Sequence, residues 1–154
     1  MTGRIDARLR ELGITLPAAP PPVASYVPCV QTGNLLFVSG QITASPEGLK
    51  YVGAVGTDLS VEDGKAAARL CAVNLLAQVK AACGDLDRVK RCVKIGVFVN
   101  AARDFTQHPE VANGASDLLV EVFGEAGKHA RAAMGAGSLP RGGACEVEAV
   151  FEIA

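Results

Sequence analysis

The chain has 154 residues, of which 49% are hydrophobic and 20% are charged. This length fits one domain, and this composition excludes intrinsic disorder. Fifteen Lys and Arg residues against sixteen Asp and Glu residues give a net charge of −1, which argues against a dedicated nucleic-acid or anionic-membrane binder because both need a basic face. The sequence shows no run of about 18 apolar residues, so it predicts no membrane span.

Residues 1–22 are predicted to precede the main domain, residues 23–154, as a helix and a connector. Ile5, Leu9 and Leu12 recur at the spacing of one helical face, and Gly13 is suited to end that helix. Residues 16–22 contain four prolines, which favour an extended connector.

Two apolar segments then predict a β-hairpin. They cover residues 24–31 and 35–39, and Thr32-Gly33-Asn34 supplies the turn between them. A second turn is predicted at Ser45-Pro46-Glu47-Gly48, and residues 50–55 are predicted to form a weak edge strand.

The clearest helical pattern runs from Ser60 to Ala82. Ser60 and Asp63 have the spacing of a capping box, and Gly84 is suited to end the helix. One apolar row is predicted to contain Ala66, Leu70, Val73, Ala77 and Lys80, widened by Cys71, Leu75, Leu76 and Val79.

The second half of the chain alternates strands with a helix. Residues 88–100 predict a long strand with Val93 and Ile95 on one side and Cys92 on the other. A helix is predicted from about Pro109 to Ala126, followed by strands over residues 129–134 and 144–153. This order predicts an α+β two-layer sandwich with the helices on one face of a mixed sheet. The other sheet face mixes small, apolar and charged residues, which predicts a homo-oligomer.

The cysteines and histidines indicate no metal or disulfide framework. The five cysteines form no C-x-x-C pair, and neither His108 nor His129 lies at a zinc-ligand spacing from another ligand. Buried, reduced thiols in a cytoplasmic protein are the expected explanation. Both histidines are expected at the surface or at helix ends.

Several catalytic motifs nearly match and fail. Residues 137–142 have the glycine spacing of a P-loop, but Gly143 stands where Lys is required. Gly114-Ala115-Ser116 begins a nucleophile elbow, but Leu118 replaces its closing glycine. These mismatches disfavour nucleotide-phosphate binding and serine-hydrolase chemistry.

Arg131 and Glu146 remain as a pair with a chemical interpretation. If the two strands that carry them form a hairpin, their side chains approach one another. A guanidinium group holds a carboxylate ligand through two parallel hydrogen bonds, and a nearby carboxyl group can move protons or position water. A structural Arg–Glu pair, or glutamates on a solvated face, explains the same pattern.

Several segments, in order along the chain, resemble the RidA/YjgF family, whose older names include endoribonuclease L-PSP. Ser25-Tyr26-Val27 and residues 32–41 resemble its tyrosine strand and its G-N…S-G-Q segment. The later matches are Val97-Phe98-Val99, Asp104-Phe105, Ala130-Arg131, Leu139-Pro140 and Glu146-Val147-Glu148-Ala149. The resemblance covers the chain from about Val23 to the C-terminus.

The resemblance implies a chorismate-mutase-like fold and a homotrimer with clefts between subunits. It also implies hydrolysis of reactive 2-imino acids, or their enamine tautomers, to 2-oxo acids and ammonia. Family members need no metal or organic cofactor. Their partners are small 2-imino or 2-oxo acids, without nucleic acid or membrane.

The same resemblance assigns site residues. Arg131 matches the arginine that binds the substrate carboxylate, and Glu146 matches the glutamate that holds water or passes a proton. The matching substrate-binding residues are Tyr26, Ser39, Gly40, Asn113 and Ala133. Active members often carry Cys at the position of Ala133, and the segment between Phe105 and Arg131 is longer here than in the best-studied deaminases.

Two other functions fit parts of the sequence. Ala133 and the longer segment favour a non-catalytic module that binds a small carboxylate in the same cleft. RNA cleavage is suggested by the older family name, but the net charge of −1 and the seven Phe and Tyr residues argue against it.

Overall fold

A computed structural model describes residues 3–19 and 24–154. In those ranges the helices are α1 (Arg4–Glu11), α2 (Val61–Cys83) and α3 (His108–Phe123). The strands are β1 (Cys29–Thr32), β2 (Leu35–Gln41), β3 (Ala44–Ser45), β4 (Gly48–Leu49), β5 (Val89–Asn100), β6 (Ala130–Ala136) and β7 (Cys145–Ile153). Short 3-10 turns lie at Leu86–Arg88, Gly124–Gly127 and Pro140–Gly142.

Five strands form one mixed sheet in the order β1-β2-β7-β5-β6. All neighbouring pairs are antiparallel except β5 and β6, which are parallel and are connected through α3. Helix α2 packs against β7 and β2, and α3 packs against β5 and β6. This arrangement confirms the α+β class with helices on one face of a mixed sheet.

The central strand β7 determines the two sheet faces. Its residues alternate, as the sequence predicted: Cys145, Val147 and Phe151 are buried beneath the helices, whereas the intervening glutamates face away from them. By length and composition α2 could cross a membrane, but here it is the central core helix, with most of its residues buried.

Local capping defines α2. The Ser60 side chain accepts a hydrogen bond from the Asp63 amide at 3.0 Å, and the Asp63 carboxylate accepts one from the Ser60 amide at 3.2 Å. This confirms the predicted capping box. The predicted apolar row was wrong at Ala66, Leu70 and Val73, which are only half-buried. The other apolar residues predicted for this face are buried, namely Cys71, Leu75, Leu76, Ala77 and Val79. Gly64, Ala67, Ala68 and Ala72 are also buried.

Irregular pairing explains the errors in the strand predictions. Two register shifts in β5 turn Cys92 into the core beside Ile95 and leave Val93 36% exposed, which reverses the predicted sides of Cys92 and Val93. Residues 50–55 make only isolated bridges, and the small hairpin lies just before them in β3 and β4. The first strand begins at Cys29, so Tyr26 precedes it.

The N-terminal helix packs on the same core. Ile5 and Leu9 are buried, and the Asp87 carboxylate accepts hydrogen bonds from the Arg4 and Ile5 amides, both at 2.8 Å. These backbone hydrogen bonds lower the pKa of Asp87. The predicted connector, residues 16–22, lies partly outside the described residues.

An apolar stripe remains exposed on the sheet face opposite the helices. Phe37 is 45% exposed, Met134 is 48% exposed and Val30 is 53% exposed. The strand pairing places Val150 and Phe98 on the same face. Val30, Phe37 and Val150 are neighbours across β1, β2 and β7, whereas Phe98 and Met134 are neighbours across β5 and β6. Exposed apolar groups such as these are typical of an interaction surface.

Gly114 supports a direct test of the helix packing. A Cβ at this position would overlap the carbonyl oxygen of Lys65 on α2, because α2 and α3 approach closely there. Gly114→Ala should therefore lower the free energy of unfolding by about 1–3 kcal/mol, measured by urea denaturation. Gly137→Ala, at a position with open space, should change stability by less than about 0.5 kcal/mol. A stabilised Gly114→Ala variant would contradict this packing.

Candidate functional site

A cleft of about 670 Å³ lies beside the end of β2. The ladder between β1 and β2 ends at Val38, and Ser39, Gly40 and Gln41 beyond it line the cleft. The opposite wall contains residues of α2, and Glu146 of β7 also lines the cleft. Tyr26, Ser39, Gly40 and Glu146, four of the predicted site residues, thus line one cavity.

Ser39 attaches the segment before β1 to the cleft. Its hydroxyl donates a hydrogen bond to the carbonyl of Val27 at 2.9 Å, and its amide donates to the carbonyl of Pro28 at 2.8 Å. These bonds hold Tyr26 at the cleft wall, where its side chain is 60% exposed. Ser39 therefore has a structural contact that its predicted substrate-binding role did not include.

Gly40 makes room for the Glu146 carboxyl group. A register irregularity lies between Val38 and Gln41 where β2 pairs with β7. A Cβ on Gly40 would lie 3.0 Å from the carboxyl carbon of Glu146, closer than an ordinary contact. Glycine thus lets the β2 backbone approach the acid closely.

Glu146 has the electrostatics of a proton-holding group. Burial raises the pKa of its carboxyl group, and the nearby Glu148 carboxylate raises it further. A carboxyl group with a raised pKa keeps its proton closer to neutral pH, which suits general acid–base chemistry.

A second cluster surrounds Arg131 on β6. Its Nη1 atom donates to Oδ1 of Asn113 at 2.8 Å and to Oγ of Ser116 at 3.1 Å. Both partners lie on α3. The predicted residues Arg131 and Asn113 therefore meet, and Ala133 lies two residues further along β6, packed against the core.

Arg131 and Glu146 do not approach as a hairpin pair, so that prediction was wrong. Strand β6 pairs with β5 rather than with β7, and β5 separates the two residues. Arg131 lies opposite Ile95, which is buried beneath the helices, whereas Glu146 lies opposite Phe98 on the other face. Within one chain the two halves of the predicted site occupy opposite faces of the sheet.

The sequence interpretation missed Ser116 and His129. The Nδ1 atom of His129 lies 2.6 Å from the carbonyl oxygen of Gly127, and its Nε2 atom lies 2.9 Å from Ser116 Oγ. Because a carbonyl only accepts, Nδ1 holds the proton of the neutral ring and Nε2 accepts from Ser116. The Ser116 oxygen can then accept from Arg131. Sequence spacing gave no signal for this contact, because it depends on α3 folding back beside β6.

The cysteines fit their predicted role as thiols. All five are free, and Cys71, Cys92 and Cys145 are buried. Burial raises the pKa of Cys92 to about 12 and that of Cys29 to about 11. At neutral pH these groups are protonated and weakly nucleophilic. Within residues 3–19 and 24–154 no three His, Cys, Asp or Glu side chains gather as a metal-binding group.

Removing Glu148 tests the electrostatics of Glu146. Glu148→Gln should lower the pKa of Glu146, because it removes a like charge, but not to its ordinary value, because burial is the larger cause. Carboxyl ¹³C NMR titration measures this pKa. Glu152→Gln, on the same strand, is the matched control and should leave it unchanged. An unchanged pKa of Glu146 in Glu148→Gln would contradict the assigned cause.

The tautomer of His129 tests the second cluster. In ¹⁵N NMR spectra the neutral ring should carry its proton on Nδ1, with Nε2 unprotonated. Ser116→Ala should shift the Nε2 resonance while Nδ1 keeps its proton. A neutral ring protonated at Nε2 would refute the hydrogen-bond directions described for Ser116.

Comparison with known proteins identifies the family of this chain. A family described as YjgF/chorismate mutase-like endoribonuclease matches residues 6–153. Protein TCP17 of Trypanosoma cruzi is 51% identical over 153 residues, covering 99% of this chain and 96% of its own. A 2-iminobutanoate/2-iminopropanoate deaminase of Dermatophagoides farinae is 28% identical, with 91% and 94% coverage.

A solved structure extends the comparison to the fold. The crystal structure of Atu1372 from Agrobacterium tumefaciens, a protein of unknown function, matches with a TM-score of 0.92 and 48% identity. The match covers 97% of this chain and 92% of that chain. The family match over nearly the whole sequence decides the assignment: the chain belongs to the YjgF/RidA family.

Proposed function

We propose that this protein hydrolyses 2-imino acids, or their enamine tautomers, to 2-oxo acids and ammonia. The observation that carries the proposal is Glu146, a half-buried acid with a raised pKa in a cleft that Tyr26, Ser39 and Gly40 also line. The relative named 2-iminobutanoate/2-iminopropanoate deaminase supports this reaction class.

The reaction needs two groups from the protein, one that binds the substrate carboxylate and one that handles water and protons. Water adds to C2 of the protonated imine, and one of its protons passes to the nitrogen. The C–N bond then breaks to release ammonia, while the remaining hydroxyl group loses its proton to Glu146 or to water and becomes the carbonyl. Arg131 fixes the substrate carboxylate through charged hydrogen bonds, and Glu146 orients the water and carries the proton. Positioning of this kind accelerates the reaction without a covalent bond between the enzyme and its substrate.

The site is completed, in this proposal, by neighbouring copies of the chain. Arg131 and Glu146 lie on opposite faces of one sheet, so one chain does not present both to one small ligand. In a cyclic oligomer of three or more copies, two different patches of the same chain meet at every interface. The exposed apolar stripe supports assembly, and the trimer implied by the resemblance is the expected form.

Removing the positive charge of Arg131 tests its proposed role in binding the substrate carboxylate. Arg131→Ala should lower kcat/KM by about 10- to 100-fold, as expected for one lost charged hydrogen bond, with enzymatically generated 2-aminoacrylate as substrate and release of ammonia as the readout. Arg10→Ala, an exposed arginine on α1, is the matched control. An unchanged rate in Arg131→Ala would refute the assignment of Arg131.

Mixing two inactive variants tests whether copies share the site. Arg131→Ala and Glu146→Gln each disable every cleft, but a mixed oligomer contains clefts with one native Arg131 and one native Glu146. A refolded equimolar mixture should recover about a quarter of the native activity, the random fraction of native pairs. No recovery, with both variants folded and assembled, would refute a shared site.

A carboxylate-binding module without turnover is the second candidate. Ala133 favours it, because active family members often carry Cys there. Binding of a 2-oxo acid in calorimetry, together with no turnover of any 2-imino acid, would support it. Turnover of one such substrate would exclude it.

A further inference from the structure

Arg141 carries a charge that the proposed reaction does not use. It lies in the turn Pro140–Gly142 and lines the same cleft as Glu146. Among the described residues that line this cleft, it is the one with a positively charged side chain. It makes no hydrogen bond or ion pair with the described part of the chain.

The backbone of Arg141 is held in an unusual conformation. Its φ of 59° and ψ of 15° lie in the left-handed region, which is unfavourable for a residue with a Cβ atom. The turn is fixed on both sides: the Gly142 amide donates to the carbonyl of Leu139 at 3.0 Å, and the Gly53 amide donates to the carbonyl of Gly142 at 2.8 Å. A strained non-glycine residue at a cleft supports a functional interpretation.

Arg141 and Glu146 line one cleft, together with the apolar residues Pro28, Ile42 and Ala77. A small ligand whose reacting carbon lies beside Glu146 therefore also faces the positive charge of Arg141.

We propose that Arg141 binds a second carboxylate at the far end of the substrate, so that the preferred substrates are short 2-imino dicarboxylates. This inference rests on the proposed function for the reaction itself. Arg131, held by Asn113 and Ser116, binds the carboxylate next to the imine. The planar guanidinium of Arg141, without a partner among the described residues, offers two parallel donors to the distal carboxylate.

The inference predicts a change in substrate preference. The imines are generated in the assay by amino-acid oxidases, from aspartate or glutamate for dicarboxylates and from alanine for the monocarboxylate. In Arg141→Gln the ratio of dicarboxylate to monocarboxylate kcat/KM should fall at least about tenfold, as expected for one lost charged hydrogen bond. Arg10→Gln removes the same charge from an exposed site and should leave the ratio unchanged.

A second variant shows whether a disturbed turn, rather than the lost charge, explains the result for Arg141→Gln. Arg141→Gly removes the side chain at a position whose left-handed backbone suits glycine, and the same fall in the ratio is expected. A native enzyme without preference for dicarboxylates, or an unchanged ratio in both variants, would overturn the inference.

A binding measurement separates this inference from the reaction. Calorimetry compares a 2-oxo dicarboxylate with a 2-oxo monocarboxylate, which needs no turnover. Arg141→Gln should weaken dicarboxylate binding about tenfold more than monocarboxylate binding. If no imino acid is hydrolysed but this difference is found, the proposed reaction fails and the role of Arg141 holds. Equal weakening of both ligands would refute that role.

Discussion

Strand β5 pairs with β7 on one side and with β6 on the other, and this pairing decides where both halves of the site lie. Because β6 is parallel to β5, α3 must cross the sheet between them, and it carries Asn113 and Ser116 to the edge strand. The antiparallel β7 turns Glu146 to the opposite face. One chain therefore holds Arg131 and Glu146 on opposite faces of the sheet, which is why the proposed reaction needs a second copy.

Glycines let the backbone approach the acids of β7. Gly40 lies beside the carboxyl group of Glu146, and a Cβ on Gly96 would lie 3.0 Å from a carboxylate oxygen of Glu148. A side chain at either position would displace an acid. Glu146 and Glu148 lie two residues apart on the same face of β7, and the repulsion between their carboxylates adds to the raised pKa of Glu146.

The sequence predicted the parts of this fold that depend on local pattern. The alternation of β7, the Ser60–Asp63 capping box and the turn at Gly33 need only neighbouring residues, and each is confirmed. The exchange of Cys92 and Val93 was not predictable, because it results from register shifts against β7. Likewise, the parallel pairing of β5 with β6 depends on contacts between distant segments, so the hairpin hypothesis for Arg131 and Glu146 failed.

The candidate site also contains residues that the sequence predicted and residues that it did not. Family resemblance predicted the residues that line the cleft, namely Tyr26, Ser39, Gly40 and Glu146. It also predicted Arg131 and Asn113, which form the second cluster. The near-match to a nucleophile elbow at Ser116 and the expected surface position of His129 did not predict their contact, which depends on hydrogen bonds from α3 to the segment before β6 and to β6 itself. The strained backbone of Arg141 likewise follows from the turn around it.

If two copies of the chain share the proposed site, one bound ligand contacts Arg131 of one copy and Glu146 of another. A crystal structure of the assembled protein with a 2-oxo acid tests this arrangement. We expect the ligand carboxylate to accept hydrogen bonds from Arg131 of one copy while its carbonyl carbon lies beside Glu146 of another. A ligand held within a single chain, without contact to Arg131, would rule out a shared site.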